Sequence, residues 1–119
     1  MKKIKWPEER AKSIEHWEHN LALVKKLKWT QYKADTKDMS IMDKAAYLTD
    51  KDINIYSSAC PYCIRAKRSC YNCPLRDSSI AGPCCHEWIK VRNTLYYPTT
   101  RVAVEEAINQ LIKYIRRNG

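Results

Sequence analysis

The chain has 119 residues, 45% hydrophobic and 29% charged, which predicts one folded domain over residues 1–119 and excludes a disordered chain. Its longest purely apolar run, Leu21 to Val24, falls far short of the ~20 residues of a membrane crossing, so no membrane partner is expected. Two glycines exclude folds built on a glycine-rich phosphate loop, and 22 basic against 13 acidic side chains (net +9) point to nucleic acid or an acidic protein surface as partner.

The first predicted element starts at Pro7, a residue suited to the first turn of a helix, with Glu8 and Glu9 near the positive end of the dipole. Ile14, Trp17, Leu21 and Val24 recur at spacings of three and four and form one apolar stripe towards Leu27, while Lys25, Lys26 and Lys28 close the last turn. Thr30 to Asp38 is polar and reads as loop. Ser40 caps a short helix carrying Ile41, Met42, Ala45, Ala46 and Leu48. Asp52 to Tyr56 alternates with period two, which predicts a short strand. His86 to Leu95 reads as a helix with Trp88, Ile89, Val91 and Leu95 for packing. After Pro98, Thr99 or Thr100 caps a last helix whose buried stripe is Val104, Ile108, Leu111 and Ile115. The expected fold is mostly α, with a zinc-stabilised, cysteine-rich insertion over about residues 57–86 and one short β strand.

That insertion carries the chemistry. Cys60 and Cys63 form one C-x-x-C pair, and after six intervening residues Cys70 and Cys73 form another, followed by Pro74 and, ten residues on from it, by Cys84 and Cys85. Each pair presents two sulfurs from one tight turn, and two such turns can hold a tetrahedral Zn2+. The basic start, Met1 to Arg10, has no apolar stretch behind it, which predicts no secretory signal and a reducing, cytoplasmic setting where metal ligation prevails over structural disulfides. The simplest ligand set is Cys60, Cys63, Cys70 and Cys73, with Cys84 and Cys85 second in rank. One or two zinc ions, or an iron–sulfur cluster, are compatible with this spacing.

Arg65, Lys67 and Arg68 sit between the two pairs with no acidic neighbour from Cys60 to Leu75, so a rigid metal site would present them together to phosphates. Tyr62 and Tyr71 are the aromatic candidates for stacking on bases. His16 and His19 read as one histidine at the core edge and one exposed, since thiolates already supply the metal ligands. Trp17 and Trp88 read as core, and Tyr96 and Tyr97 as exposed.

Four resemblances attach to these residues. Ile53 to Ser57, then Cys60-Pro61-Tyr62-Cys63 and Ala66-Lys67, resembles the strand, redox motif and helix start of glutaredoxins, which implies a nucleophilic Cys60 thiolate; the family's Thr-Val-Pro loop and paired glycines have no counterpart downstream. Ala59, Cys60, Cys63, Arg65, Lys67 and Cys70 resemble the first half of the fungal binuclear zinc clusters, but the spacing from Cys73 to Cys84 departs from the second half. His16-Trp17-Glu18 has the H-x-E form of zinc deaminases, and Ala59 stands where the proline of their P-C-x-x-C belongs, which excludes that reading. Over roughly residues 13–117 the chain resembles short bacteriophage and prophage proteins. They combine Ile-x-His-Trp-x-x-Asn (Ile14, His16, Trp17, Asn20) with C-x-x-C, C-x-x-C-P and a further cysteine (Cys60, Cys63, Cys70, Cys73, Pro74, Cys84), then a helix after Thr100-Arg101. That resemblance implies a phage-type zinc module, in the cytoplasm of a host cell, and carries over no activity of its own. The expected function is therefore non-enzymatic, sequence-tolerant nucleic-acid binding. The second reading is a small protein that binds and modulates a host or phage protein, and the third is a glutaredoxin-like thiol oxidoreductase.

Overall fold

Pro7 opens helix α1 (Pro7–Lys26), with Glu8 and Glu9 in its first turn and Lys25 and Lys26 in its last, each on the favoured end of the dipole. The computed structural model describes residues 6–56, 60–65, 74–75 and 86–119. Among these residues α1 is followed by α2 (Trp29–Thr36), α3 (Ile41–Asp50), α4 (Pro61–Arg65), α5 (His86–Tyr96) and α6 (Arg101–Asn118). The described part of the protein is mostly helical, as its periodicities predict.

Helix α6 is the centre of the core. Thr100 caps it by accepting a hydrogen bond from the Ala103 N–H, and Val104, Ile108, Leu111 and Ile115 are buried as the stripe predicts, joined by Ala107 and Ile112. Burying each large aliphatic side chain of that stripe contributes about 1.5–3 kcal/mol. α1 packs antiparallel to α6. The Trp6 N–H donates to the Gly119 carbonyl (2.8 Å) at one end, and Arg101 Nη1 donates to the Lys25 carbonyl (3.4 Å) at the other. α5 returns antiparallel along α6, with Lys90 Nζ donating to Gln110 Oε1 at 3.2 Å. Trp17 is buried, as expected. Trp88 is half-buried against the core.

Three local expectations are corrected. The polar stretch Thr30–Asp38 is helical over most of its length, because Trp29, Tyr32 and Thr36 share one face and that face is covered. The Tyr32 hydroxyl donates to the Leu95 carbonyl (2.5 Å), the Trp29 indole N–H to the Thr99 carbonyl (3.3 Å), and Tyr32 packs against Tyr47. Tertiary burial of two aromatics outweighs the polarity of the remaining positions.

The second correction is the strand at Asp52–Tyr56. Asp52 and Ile53 instead terminate α3 in a Schellman motif. The Ile53 N–H donates to the Leu48 carbonyl (2.9 Å), the Asp52 N–H to the Thr49 carbonyl (2.8 Å), and Asp52 takes the left-handed conformation (φ 65) that the motif requires. No strand occurs among the described residues. Ile53 and Ile55 alternate inward, but onto helices.

Third, Tyr96 is buried, and only Tyr97, 64% exposed, is the surface aromatic that the pair was expected to be. Tyr96 ends α5, and its carbonyl receives the Lys44 ammonium from α3 (2.5 Å).

The buried Tyr32 and Tyr96 phenols and the half-buried Tyr47 predict a fold that weakens in alkali. Burial, then the neighbouring Tyr96 and Tyr47, raises the Tyr32 phenol far above its ordinary 10.0, and burial also raises Tyr47 and Tyr96. Above pH 10 the unfolded chain releases these protons while the native protein keeps them. The unfolded state therefore binds fewer protons there, so stability is level below about pH 10 and falls as pH rises further. Urea midpoints measured from about pH 8 to pH 11 are expected to show this decline, less steeply in Tyr32→Phe. That variant should also lose about 1–3 kcal/mol at neutral pH, because the buried Leu95 carbonyl loses its hydroxyl donor.

Candidate metal centre and basic surface

Between residue 56 and helix α5 the described pieces of the cysteine segment, residues 60–65 and 74–75, are packed against the helical core. Entry is controlled from α1. His16 Nε2 lies 2.9 Å from the Asn54 carbonyl oxygen and the Asn20 side-chain amide donates to the same oxygen at 3.0 Å. With a proton on Nε2, His16 donates to that carbonyl, which then uses both lone pairs. His19 Nε2 sits 3.1 Å from the Asp52 carboxylate one turn away. His16 is half-buried at the edge of the core and His19 is exposed, the arrangement expected from the sequence.

The Ile14-x-His16-Trp17-x-x-Asn20 motif thus has a structural role, in which Trp17 anchors α1 while His16 and Asn20 take the place of a partner strand for residue 54. Replacing both His16 and Asn20 with Ala is expected to cost about 1–3 kcal/mol, since the Asn54 carbonyl loses both donors. Hydrogen exchange at residues 53–56 should accelerate together with that loss, which checks the assignment.

The first C-x-x-C motif opens α4. The Cys60 carbonyl accepts from the Ile64 N–H (3.0 Å), with Pro61 at the first helical position, so the pair occupies one helical turn in sequence. Cys60 is half-buried against the core. α4 packs on the start of α1: Tyr62 stacks on Trp6 (centroids 6.0 Å apart, 15° between planes), Arg65 lies over the Trp6 indole at 4.4 Å, and its guanidinium pairs with Glu9 at 3.0 Å. The second motif is anchored just beyond Cys73. Pro74 and Leu75 are buried, and the Tyr114 hydroxyl donates to the Leu75 carbonyl (2.9 Å).

Tyr62 abuts Gly119, where an added Cβ would overlap the Tyr62 hydroxyl. Tyr114 is five residues before Gly119 on the same helix, about 7.5 Å along its axis at 1.5 Å per residue. The anchors of the two C-x-x-C motifs therefore lie at one end of the α1–α6 pair.

Two expectations for the basic surface change. Tyr62 is fully buried between Trp6 and the end of α6, so it is a core residue and offers no face to a base. Arg65 has no acidic neighbour in its own segment, but the fold brings Glu9 from α1 against it; the guanidinium stays half-exposed. The side chain of Cys63, together with Cys70, Cys73, Cys84, Cys85, Lys67, Arg68 and Tyr71, lies outside the described residues. Among the described residues no three metal-ligating side chains converge, and no helix is long and apolar enough to cross a membrane.

Two features of the basic surface had no place in the sequence reading. One is the contact of Arg65 with Trp6 and Glu9. The other is a groove of ≈ 550 Å³ at the far end of the helix pair, lined by Lys33, Lys37 and Lys44 with Tyr96, Tyr97 and Pro98. Lys33 in α2 and Lys37 at its C-cap are four apart, the spacing of a common helical face. No protein-family model matches this sequence, and neither a curated protein nor a solved structure matches it.

Proposed function

We propose that the chain is a zinc-stabilised accessory binding module of bacteriophage type, non-enzymatic, that binds nucleic acid with little sequence preference in the cytoplasm of a host cell. The observation that carries this reading is the pair of C-x-x-C motifs, Cys60/Cys63 and Cys70/Cys73, enclosing Arg65, Lys67 and Arg68 on a chain of net charge +9. The anchoring of Tyr62 and of Leu75 at one end of the α1–α6 pair supports closure of both motifs around a common ion. Cys84 and Cys85 are the reserve ligands, for one of the four or for a second ion. Arg65, Lys67 and Arg68 contact phosphate, and Tyr71 remains the stacking candidate of this loop.

Replacing Arg65, Lys67 and Arg68 together with Ala tests the contact. Affinity for nucleic acid should fall alike for all sequences, and the log–log salt slope should shrink by about 0.7–0.9 per lost contact. Arg65→Ala also breaks the pair with Glu9, whose side chain is only 14% exposed, so a stability loss of about 1–3 kcal/mol is expected for that part of the variant, and a melting curve measured beside the binding curve separates folding from binding. Equal affinity in variant and parent, or no binding by the parent at about 50 mM salt, where phosphate contacts are strongest, would refute the reading. Exposed Met42 (81%) and Ile41 at the start of α3 favour a second reading, a module that binds and modulates a host or phage protein, which a nuclease-insensitive partner would support.

A further inference from the structure

The groove between α2, the start of α3 and the corner at Tyr96–Pro98 combines a buried cation, two further lysines and an exposed ring. Lys44 is 8% exposed. Its ammonium donates to the carbonyl of Tyr96, the last residue of α5, and lies 5.2 Å from the centroid of the Tyr97 ring. The carbonyl at a helix C-terminus offsets part of that charge, but an ammonium has three hydrogens and this contact occupies one. No carboxylate among the described residues pairs with it. A buried ammonium without a counter-charge is costly, and an anion entering the groove would relieve that cost.

The walls suit such an anion. Lys33 in α2 and Lys37 just past its C-terminus stand four residues apart and line the same groove, and no acidic side chain among the described residues lines it. Lys33 is already steered to this corner by its bond to the Thr99 carbonyl (3.2 Å). At ≈ 550 Å³ the groove has the capacity of a small-molecule site and not merely of a single ion. Its rim holds the Tyr97 ring, 64% exposed, beside Pro98. Cations grouped with an accessible aromatic are how single strands are held, phosphate on the lysines and base on the ring.

We propose that this groove binds a nucleotide unit of single-stranded nucleic acid, with its phosphate on Lys44, Lys33 and Lys37 and its base against Tyr97. The groove deepens the nucleic-acid reading by adding a surface at the other end of α6, a helix of 18 residues and so about 27 Å long. It does not depend on Arg65, Lys67 or Arg68.

The test uses the full chain, 15N-labelled, titrated with a short homothymidine strand and separately with inorganic phosphate. Amide signals of Lys33, Lys37, Lys44 and Tyr97 are expected to shift with the strand, and more weakly with phosphate. Lys44→Met should reduce strand affinity roughly ten- to hundredfold, the loss of a charged hydrogen bond. Because Lys44 also caps α5, the exposed double variant Lys33→Ala/Lys37→Ala is the second arm. Its amide spectrum should stay native away from the groove, and its log–log salt slope should fall by about 0.7 per lost contact.

Groove shifts that persist in the Arg65/Lys67/Arg68 alanine variant support the groove, even if that variant binds as tightly as the parent and the loop reading fails. Strand-induced shifts confined to the neighbourhood of Arg65 overturn the groove and leave the loop reading standing. A response to inorganic phosphate without one to the strand, or no response to either, overturns the proposal.

Discussion

On the structural-zinc proposal, treating freshly purified protein with a chelator is expected to release the segment between residue 56 and α5 while α1, α5 and α6 stay helical. A site closed by four thiolates couples folding of that segment to metal binding, worth about 10–16 kcal/mol in apparent terms for zinc-finger peptides near neutral pH. The segment carries few large apolar side chains of its own, whereas Val91, Leu95 and the α6 stripe bury one another without it. Loss of zinc should therefore lower the melting temperature and speed amide exchange in α4, with exchange in the middle of α6 much less affected. Acidification should act in the same direction, since protonated thiols release the ion. On the same proposal, Cys60→Ser or Cys73→Ser should be more damaging than Cys85→Ser, since Cys85 is outside the simplest ligand set. Metal analysis of the same sample distinguishes one zinc, two zincs and iron. An unchanged melting curve after complete metal removal would sink the structural-zinc proposal.

Tyr62→Ala is expected to cost about 3–5 kcal/mol, the range for removing a fully buried aromatic side chain. Its ring stacks on Trp6 and fills the space beside Gly119, so truncation leaves a cavity between α4 and the meeting point of α1 and α6. Trp6 would also lose its stacking partner while still carrying Arg65 on its indole. Urea denaturation followed by tryptophan fluorescence gives the cost directly. The variant discriminates between roles as well: a base-stacking tyrosine on the surface would weaken nucleic-acid binding and leave the urea midpoint nearly unchanged. A loss below about 1 kcal/mol, typical of surface substitutions, would place Tyr62 outside the core.

Helices α1, α3 and α6 were legible in the residues because each carries its own boundary chemistry, and α5 through its apolar positions. Pro7 with Glu8 and Glu9 starts α1, Ser40 caps α3 through the Asp43 N–H, Thr100 caps α6, and Val104 to Ile115 repeats at helical spacing. Such signals act within one or two turns, so they survive without knowledge of any neighbour. The paired C-x-x-C spacing of Cys60, Cys63, Cys70 and Cys73, on which the zinc proposal rests, is likewise a local pattern.

What the tertiary structure decided was whatever depends on a partner far along the chain. Alternation at Ile53 and Ile55 is equally compatible with a strand and with an extended segment laid on helices. The side chains of His16 and Asn20, 38 and 34 residues away, select the second by supplying the donors a neighbouring strand would have supplied. α2 is held by Leu95 and Thr99, more than sixty residues beyond it. Tyr62 became core because Trp6 and Gly119 converge on it from the beginning of α1 and the end of α6. Arg65 gained an acidic partner from α1, and Lys44 gained the carbonyl at the end of α5. Local sequence determines where helices start and which face is apolar; burial and charge compensation are properties of the assembled surfaces, and only packing assigns them.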